Sequence, residues 1–231
     1  MLRLLTEALL HLAYPHVCEG CGSDVLPKDQ LLCLRCLSSL PLTGFHLHAD
    51  NPVEKMFWGR LPLTAACAQY YFTKRSLMQG LLHQLKYRGN RDAGLYLGRL
   101  MGYSLLASSR FCTADLLLPM PLFRAREKRR GYNQAEVICR GISEVMQKPV
   151  RADIVIRSTG TDSQTKKGRI ARWQNMEGRF ELTGAAAIEH KQVLLVDDVI
   201  TTGASLEALG RTLLPVEGIR LSIAALCFTL D

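Results

Sequence analysis

The chain has 231 residues, of which 48% are hydrophobic and 22% are charged, and this composition excludes a disordered chain. The length suits one α/β domain of about 150–200 residues with a small additional module. No apolar run approaches the ~18 residues of a membrane helix, which argues against a membrane span.

The net charge is +8, and it is distributed unevenly along the chain. Residues 1–50 carry −2, whereas residues 51–231 carry +10. Two segments, Arg124–Arg130 and Arg157–Arg179, each contribute +4. Such basic segments are typical of proteins that contact a phosphate-rich partner, although two solvated loops would produce the same pattern.

The N-terminal segment, residues 1–15, is rich in leucine. Leucines recur every three or four residues from Leu2 to Leu12, which predicts an amphipathic helix. Glu7 and His11 interrupt the apolar run, and no cleavage site of small residues follows. We therefore do not expect a signal peptide.

Half of the cysteines form two Cys-x-x-Cys pairs, and the predicted metal ligands are Cys18, Cys21, Cys33 and Cys36. Two intervening residues let the backbone turn so that both thiols of a pair face one point. Two such pairs supply the four sulfur ligands of a structural Zn²⁺ site, which has no open position for a substrate. Two disulfides are the alternative, but without a signal peptide we expect a reducing, cytoplasmic environment, where this pattern favours zinc.

Residues 37–62 contain Pro41, Gly44, Pro52 and Pro62 and lack a clear periodicity. We expect a linker or an irregular extension of the zinc module here. The predicted domains are accordingly a zinc-binding module with its linker at residues 1–60 and a second domain at residues 61–231.

Beyond residue 62, segments with strand and helix patterns alternate. We predict strands at residues 66–72, 115–118, 150–156, 193–196 and 220–228, and helices at residues 76–87, 95–106, 133–146 and 205–214. Alternation of this kind predicts an α/β fold with a doubly wound parallel sheet.

The segment Val193–Ser205 carries the strongest chemical signal. Its apolar strand ends in Asp197 and Asp198, and open α/β sheets bind ligands beyond the carboxyl ends of their strands. The residues that follow are small or carry a hydroxyl, and they lead into a predicted helix whose N-terminal amides favour an anion. We therefore predict a site for a phosphorylated sugar, with carboxylates at the sugar hydroxyls and amides at the phosphate.

Two other interpretations of this segment are weaker. An apolar strand that ends in acidic residues also occurs in P-loop ATPases, but those enzymes need a Gly-Lys pair that this sequence lacks. The two aspartates could merely cap the next helix, but the small and hydroxyl residues would then have no role.

Val193–Ser205 resembles the phosphoribosyl pyrophosphate motif of the type I phosphoribosyltransferases. Leu118–Leu122 resembles their pyrophosphate loop. The segments His83–Gly89 and Arg130–Gln134, together with the cysteine pairs, resemble the ComF family, and residues 164–180 are similar to its mobile loop. The resemblance covers nearly the whole chain and implies a type I phosphoribosyltransferase domain preceded by a small zinc ribbon.

The resemblance also implies residue roles. Asp197, Asp198, Lys166 and Arg172 would be catalytic, the last two by closing over the departing pyrophosphate. The residues implied to bind the ligand are Asp197, Asp198, Thr201, Thr202, Gly203, Ala204, Ser205, Met120 and Arg130. The implied ligand is phosphoribosyl pyrophosphate or a nucleoside monophosphate, and Mg²⁺ would bridge the pyrophosphate and the sugar hydroxyls.

We therefore expect a glycosyltransferase that transfers a phosphoribosyl group to an unidentified nitrogenous acceptor. The alternatives are a non-catalytic sensor of a phosphoribosyl ligand, or a partner that binds single-stranded DNA or a DNA-processing protein. ComF proteins are linked, as a family, to DNA uptake. The acceptor and the oligomeric state, with an oligomer among the options, stay open at this point.

Overall fold

The computed structural model describes residues 16–24, 26–27, 30–158 and 179–229. The predicted N-terminal helix and the candidate residues Lys166 and Arg172 lie outside these ranges. Among the described residues, no helix is long and apolar enough to cross a membrane.

A parallel sheet forms the centre of the fold. Its strands, in spatial order, are β1 (Ala65–Phe72), β6 (Arg220–Thr229), β5 (Gln192–Ile200) and β2 (Leu116–Pro119). All three pairings between neighbouring strands are parallel. The strands are buried along most of their length, which explains their continuous apolar sequences and confirms the predicted parallel α/β class.

Helices connect and cover these strands. They are α1 (Leu34–Ser38), α2 (Pro52–Phe57), α3 (Leu77–Tyr87), α4 (Arg91–Leu106), α5 (Arg124–Arg130), α6 (Gln134–Met146) and α7 (Ala204–Leu213), with 3₁₀ turns at Phe45–Leu47 and Ala185–Ala187. The predicted starts of α3 and α6 are close to the observed ones because Ser76 and Asn133 act as N-caps. Helix α4 starts four residues earlier than predicted, where the Asn90 side chain accepts a hydrogen bond from the Ala93 N–H.

One predicted strand, and one alternative considered for the basic run, differ from the structure. Residues 150–156 do not form a strand of the main sheet: Val150 makes one bridge to Leu117, and β3 (Val155–Ser158) pairs antiparallel with β4 (Arg179–Leu182). The basic run Arg124–Arg130, for which we considered a solvated loop, is helical. Its arginines, alanine, glutamate and lysine are all good helix formers, and charged side chains leave the helix exposed.

The segment expected to be irregular packs against the sheet. Phe45, Val53 and Phe57 are buried, and the Phe45 ring meets Tyr71 of β1 edge-on at 5.6 Å. Asn51 caps α2 and donates a 2.8 Å hydrogen bond to the Ala66 carbonyl of β1. Short elements without regular periodicity can therefore contribute core residues; the domain boundary at residue 60 stays a prediction.

Helices α4 and α6 approach each other through glycines. A Cβ atom at Gly98 would lie 2.4 Å from the Ile138 carbonyl oxygen, and one at Gly141 would lie 2.3 Å from the Leu95 carbonyl oxygen. Both distances are far below a van der Waals contact, and the atoms concerned belong to rigid helical backbone. The two helices can therefore pack at this distance only without side chains at these positions.

We predict that Gly98→Ala lowers the free energy of unfolding by about 1–3 kcal/mol, the usual cost of overpacking a core. The matched control is Gly80→Ala on α3, where an added Cβ meets nothing within 4 Å. In this control we expect the free energy of unfolding to rise by about 0.5–1 kcal/mol, because alanine favours the helix more than glycine does. Chemical denaturation measures both; equal effects would contradict the close contact.

Candidate functional site

A cleft of about 170 Å³ opens where β2 and β5 end. The carboxyl ends of these parallel neighbours meet at one edge of the sheet, so residues distant in sequence converge there. The cleft is lined by Lys86, Met120, Pro121, Leu122, Arg126, Arg130, Asn133, Gln134, Ala135, Arg157, Asp197, Asp198 and Ser205. Four predicted ligand-binding positions besides Ser205 therefore border one cleft: Asp197, Asp198, Met120 and Arg130.

The two aspartates lie within β5 rather than after it, since the strand continues to Ile200. The backbone N–H of Asp198 donates a 2.8 Å hydrogen bond to Oδ1 of Asp197. Burial and, next, the negative charge of Asp198 raise the pKa of Asp197 to about 7, against the opposing effects of that hydrogen bond and of the Lys86 and Arg157 charges. The cleft thus holds one carboxyl group that is poised to change its charge near neutral pH.

Basic side chains surround the carboxylates. Lys86 Nζ, at the C-terminal end of α3, lies 2.7 Å from Asp198 Oδ2 in a pair that is mostly shielded from solvent. Arg126 and Arg130 are four residues apart on α5 and both line the cleft. Arg157 of β3 stacks over Phe123 with its guanidinium carbon 4.1 Å from the ring centroid. The cleft therefore offers cations for phosphate oxygens beside carboxylates for hydroxyl groups.

The loop between β5 and α7 depends on Gly203. This residue has φ +72°, and a Cβ there would lie 2.9 Å from both Met56 Sδ and Phe57 Cζ. Only glycine satisfies the backbone angle and the close contact with α2. Thr202 is exposed, and its Oγ1 accepts a 3.4 Å hydrogen bond from the Ala204 N–H. Among the loop residues Thr201–Ser205, Ser205 borders the cleft.

Arg60 fixes this loop, and the sequence analysis did not identify it. Its Nη1 donates to the Thr202 carbonyl (3.1 Å) and to the Met56 carbonyl (3.1 Å). Its Nε donates to Glu207 Oε2 in the first turn of α7 (2.8 Å). No local motif surrounds Arg60, and its partners are up to 147 residues away in sequence, so spacing could not have revealed its role.

Asn133 was also missed as a site residue. It caps α6 through its Oδ1, while its Nδ2 donates to the Met120 carbonyl at 2.9 Å. The Met120 N–H in turn donates to the Val196 carbonyl of β5 at 2.8 Å. Asn133 therefore ties the segment after β2 to α6, and Met120 is held against β5.

The four predicted metal ligands are brought together. Their Sγ atoms all lie within 4.8 Å of one another, and Cys21 Sγ lies 3.7 Å from Cys33 Sγ. Tetrahedral zinc with Zn–S bonds of about 2.3 Å requires sulfurs roughly 3.8 Å apart, so the cluster has the size to hold zinc. The Cys33 N–H donates a hydrogen bond to Cys18 Sγ at 3.2 Å. Gly22, which directly follows the first pair, has φ +73°, a backbone angle that glycine adopts readily in a tight turn.

Burial raises the pKa of the Cys18 thiol, but hydrogen bonds from the backbone of Cys33, Cys21 and Gly20 outweigh this effect and lower it to about 6. In contrast, burial raises the pKa of Cys36. These backbone hydrogen bonds therefore favour the thiolate form of Cys18, which is the form that binds a metal ion.

The chain is similar to several known proteins. A model of the phosphoribosyl transferase domain matches residues 128–230. The chain is 29% identical to DNA utilization protein YhgH of Escherichia coli (strain K12), over 96% of this chain and 94% of the relative. It is 28% identical to Competence protein F of Haemophilus influenzae, over 88% of this chain and 86% of the relative.

Competence protein ComFC of Bacillus subtilis is 29% identical over 62% of this chain and 56% of the relative. The resemblance to the ComF family is thereby confirmed. The chain is similar to these competence and DNA utilization proteins, and its residues 128–230 match the phosphoribosyl transferase domain.

Proposed function

We propose that this chain binds phosphoribosyl pyrophosphate with Mg²⁺ in the cleft and transfers the phosphoribosyl group to a nitrogenous acceptor. The observation that carries the proposal is the convergence of Asp197 and Asp198 with Lys86, Arg126 and Arg130 at the ends of β2 and β5. The matched phosphoribosyl transferase domain supports it, since it includes the two aspartates and Arg130.

The carboxylates face the sugar in this proposal. Asp197 and Asp198 accept hydrogen bonds from the ribose 2′- and 3′-hydroxyl groups. The negative charge of Asp198, joined by that of Asp197 once it is ionised, stabilises the positive charge that develops at C1. The bond from C1 to the pyrophosphate oxygen breaks, and pyrophosphate leaves with the electron pair. A bond from the acceptor nitrogen to C1 forms, and the acceptor nitrogen releases its proton.

Amides and cations face the phosphates. The backbone N–H groups of Thr201–Ser205 and the N-terminus of α7 bind the 5′-phosphate. Arg126 and Arg130 approach the pyrophosphate, and by resemblance Lys166 and Arg172 close over it. Mg²⁺, which prefers hard oxygen ligands and retains water, would neutralise part of the pyrophosphate charge when bound.

We predict that Asp197→Asn combined with Asp198→Asn weakens binding of phosphoribosyl pyrophosphate by about 30- to 150-fold, because two carboxylate acceptors become neutral amides and each hydrogen bond loses about 1–1.5 kcal/mol. Isothermal titration calorimetry with Mg²⁺ measures the affinity. Pyrophosphate release with a panel of nitrogenous bases measures turnover, which should also disappear. Asp153→Asn, an exposed carboxylate paired with Arg151, is the matched control.

The same titration separates the alternatives. Unchanged binding by the double variant would contradict the site. Saturable binding by the wild-type protein without turnover on any base would support a sensor instead.

Binding of single-stranded DNA is a second candidate, favoured by the exposed basic surface of α5. The names of the relatives, which refer to DNA utilization and competence, support the same candidate. Its signature is an affinity for an oligonucleotide that falls steeply with salt. This signature, without any effect of phosphoribosyl pyrophosphate, would favour DNA binding over phosphoribosyl transfer.

The raised pKa of Asp197 predicts a pH-dependent stability. In the folded protein this carboxyl keeps its proton up to about pH 7, whereas the unfolded chain loses it near pH 3.8. The folded state therefore binds more protons between these values, so ionisation of Asp197 lowers the free energy of unfolding as the pH rises.

We predict that Asp197→Asn is more stable than the wild type without ligand, and that the difference in Tm grows from pH 4 to pH 7 and then levels off. Each 1 kcal/mol gained in the free energy of unfolding should raise Tm by about 2–4 °C. Scanning calorimetry across this range measures it. Asp153→Asn should give no such gain, because its hydrogen bond with Arg151 lowers the pKa of Asp153. A difference that is independent of pH would contradict the prediction.

We further propose that the cluster of Cys18, Cys21, Cys33 and Cys36 binds one Zn²⁺ per chain as a structural site. The sulfur spacing supports the ion, and four protein ligands exclude a direct role in the reaction.

We predict that Cys33→Ser lowers the zinc content well below one ion per chain and lowers Tm, because metal binding contributes to folding. Cys112→Ser is the matched control, since Cys112 is half-buried and lies outside the cluster. Elemental analysis and thermal unfolding measure both effects. Full metal content in Cys33→Ser would exclude this ligand set.

A further inference from the structure

Helix α3 lies between the cysteine cluster and the candidate site. The first cysteine pair, with the turn between Cys18 and Cys21, packs along one side of α3. A Cβ at Gly20 would lie 2.8 Å from Leu77 Cδ1 and 2.9 Å from Cys36 Sγ, so the turn is in close contact with both the helix and the second pair. Gln84 Nε2 also donates a 3.2 Å hydrogen bond to the Glu19 carbonyl.

The geometry of α3 places these contacts opposite the site. Leu77 and Gln84 are seven residues apart and therefore lie on one face of the helix, two turns from each other. Lys86 follows Gln84 by two residues, which is a rotation of about 200° around the helix axis. Lys86 therefore projects on the other side, where its Nζ pairs with Asp198.

Gln84 connects the cysteine turn to the end of α3. Besides its bond to Glu19, its Oε1 accepts a 3.1 Å hydrogen bond from Asn90 Nδ2, and Asn90 caps α4. Tyr132 supports the same turn by donating to the Leu85 carbonyl. The last turn of α3 is thus held by the cysteine turn, by the start of α4 and by Tyr132.

From these contacts we infer that the first cysteine turn is a positioning element for Lys86. A metal ion in the cluster fixes the turn, the turn holds the last turn of α3 through Gln84, and α3 places the Lys86 ammonium against Asp198. Metal occupancy and ligand binding are then coupled, and the coupling is reciprocal: the ligand should slow the loss of metal. The effect on the ligand rests on the proposed function, whereas the effect on Lys86 does not.

Gln84→Glu tests the inference with little disturbance. The carboxylate can still accept the bond from Asn90, but it cannot donate to the Glu19 carbonyl. Gln79→Glu is the matched control, because it places the same charge on the same helix at a residue whose Oε1 accepts from the Arg75 N–H. Elemental analysis establishes that all variants retain their zinc.

We expect faster amide hydrogen exchange at residues 84–88 in Gln84→Glu and about fivefold weaker binding of phosphoribosyl pyrophosphate with Mg²⁺. Gln79→Glu should match the wild type in both. In a Lys86→Met background, Gln84→Glu should cause no further loss of affinity, since the coupling acts through Lys86. Removal of zinc by a chelator should give the same exchange pattern at residues 84–88.

The outcomes test the positioning of Lys86 separately from the proposed function. Unchanged exchange at residues 84–88 in Gln84→Glu, or an equal loss of affinity in the Lys86→Met background, would overturn the inference and leave the proposed function intact. If the wild type does not bind phosphoribosyl pyrophosphate, the proposed function fails. Faster exchange at residues 84–88 in Gln84→Glu alone would then still support the positioning of Lys86.

Discussion

Two adjacent carboxylates within the buried strand β5 impose the main constraint on this structure. Their charges repel each other, and burial removes the water that would solvate them, so Asp197 resists ionisation. Cationic side chains from other elements, Lys86 of α3 and Arg157 of β3, offset part of this unfavourable energy. A strand order that places β5 between β2 and β6 makes this convergence possible. The unfavourable electrostatics are local and the compensating contacts are long-range, which is the usual pattern for a functional site.

The loop that follows the carboxylates depends equally on distant residues. The close approach of α2 leaves room only for glycine at position 203, and Arg60 holds the loop by donating hydrogen bonds to the Thr202 carbonyl and to Glu207. Arg60 and α2 precede the matched domain, which begins at residue 128. The geometry of the candidate site therefore depends on residues outside the matched domain, and the segment before β1 helps to hold the loop in place.

The sequence predicted those features that depend on local pattern. Apolar runs located β1, β6 and the first half of β5, although β5 continues past the two aspartates to Ile200, and the cysteine spacing predicted that four sulfurs meet at one point. Local pattern was not sufficient where contacts between residues distant in sequence determine the structure. Residues 150–156 have the composition of a strand, but they meet β2 at one bridge, where the Arg151 N–H donates to the Leu117 carbonyl, and the chain then continues to the hairpin of β3 and β4. Asn133 was predicted only as part of a motif, because its bond to Met120 exists only after β2 and α6 pack together.

The cysteine cluster is the feature whose purpose is least evident from its chemistry. Four thiolates around a bound Zn²⁺ would carry a charge of about −2 in a segment that is already acidic, which is the wrong sign for binding phosphate. A recognition role toward the phosphoribosyl ligand is therefore disfavoured, and a mechanical role is favoured instead. A metal ion bound by all four cysteines would make the cluster rigid, and the first cysteine turn touches the helix that carries Lys86. Because Lys86 compensates a carboxylate pair that is otherwise unfavourable, a small displacement of α3 would change the electrostatics of the whole cleft.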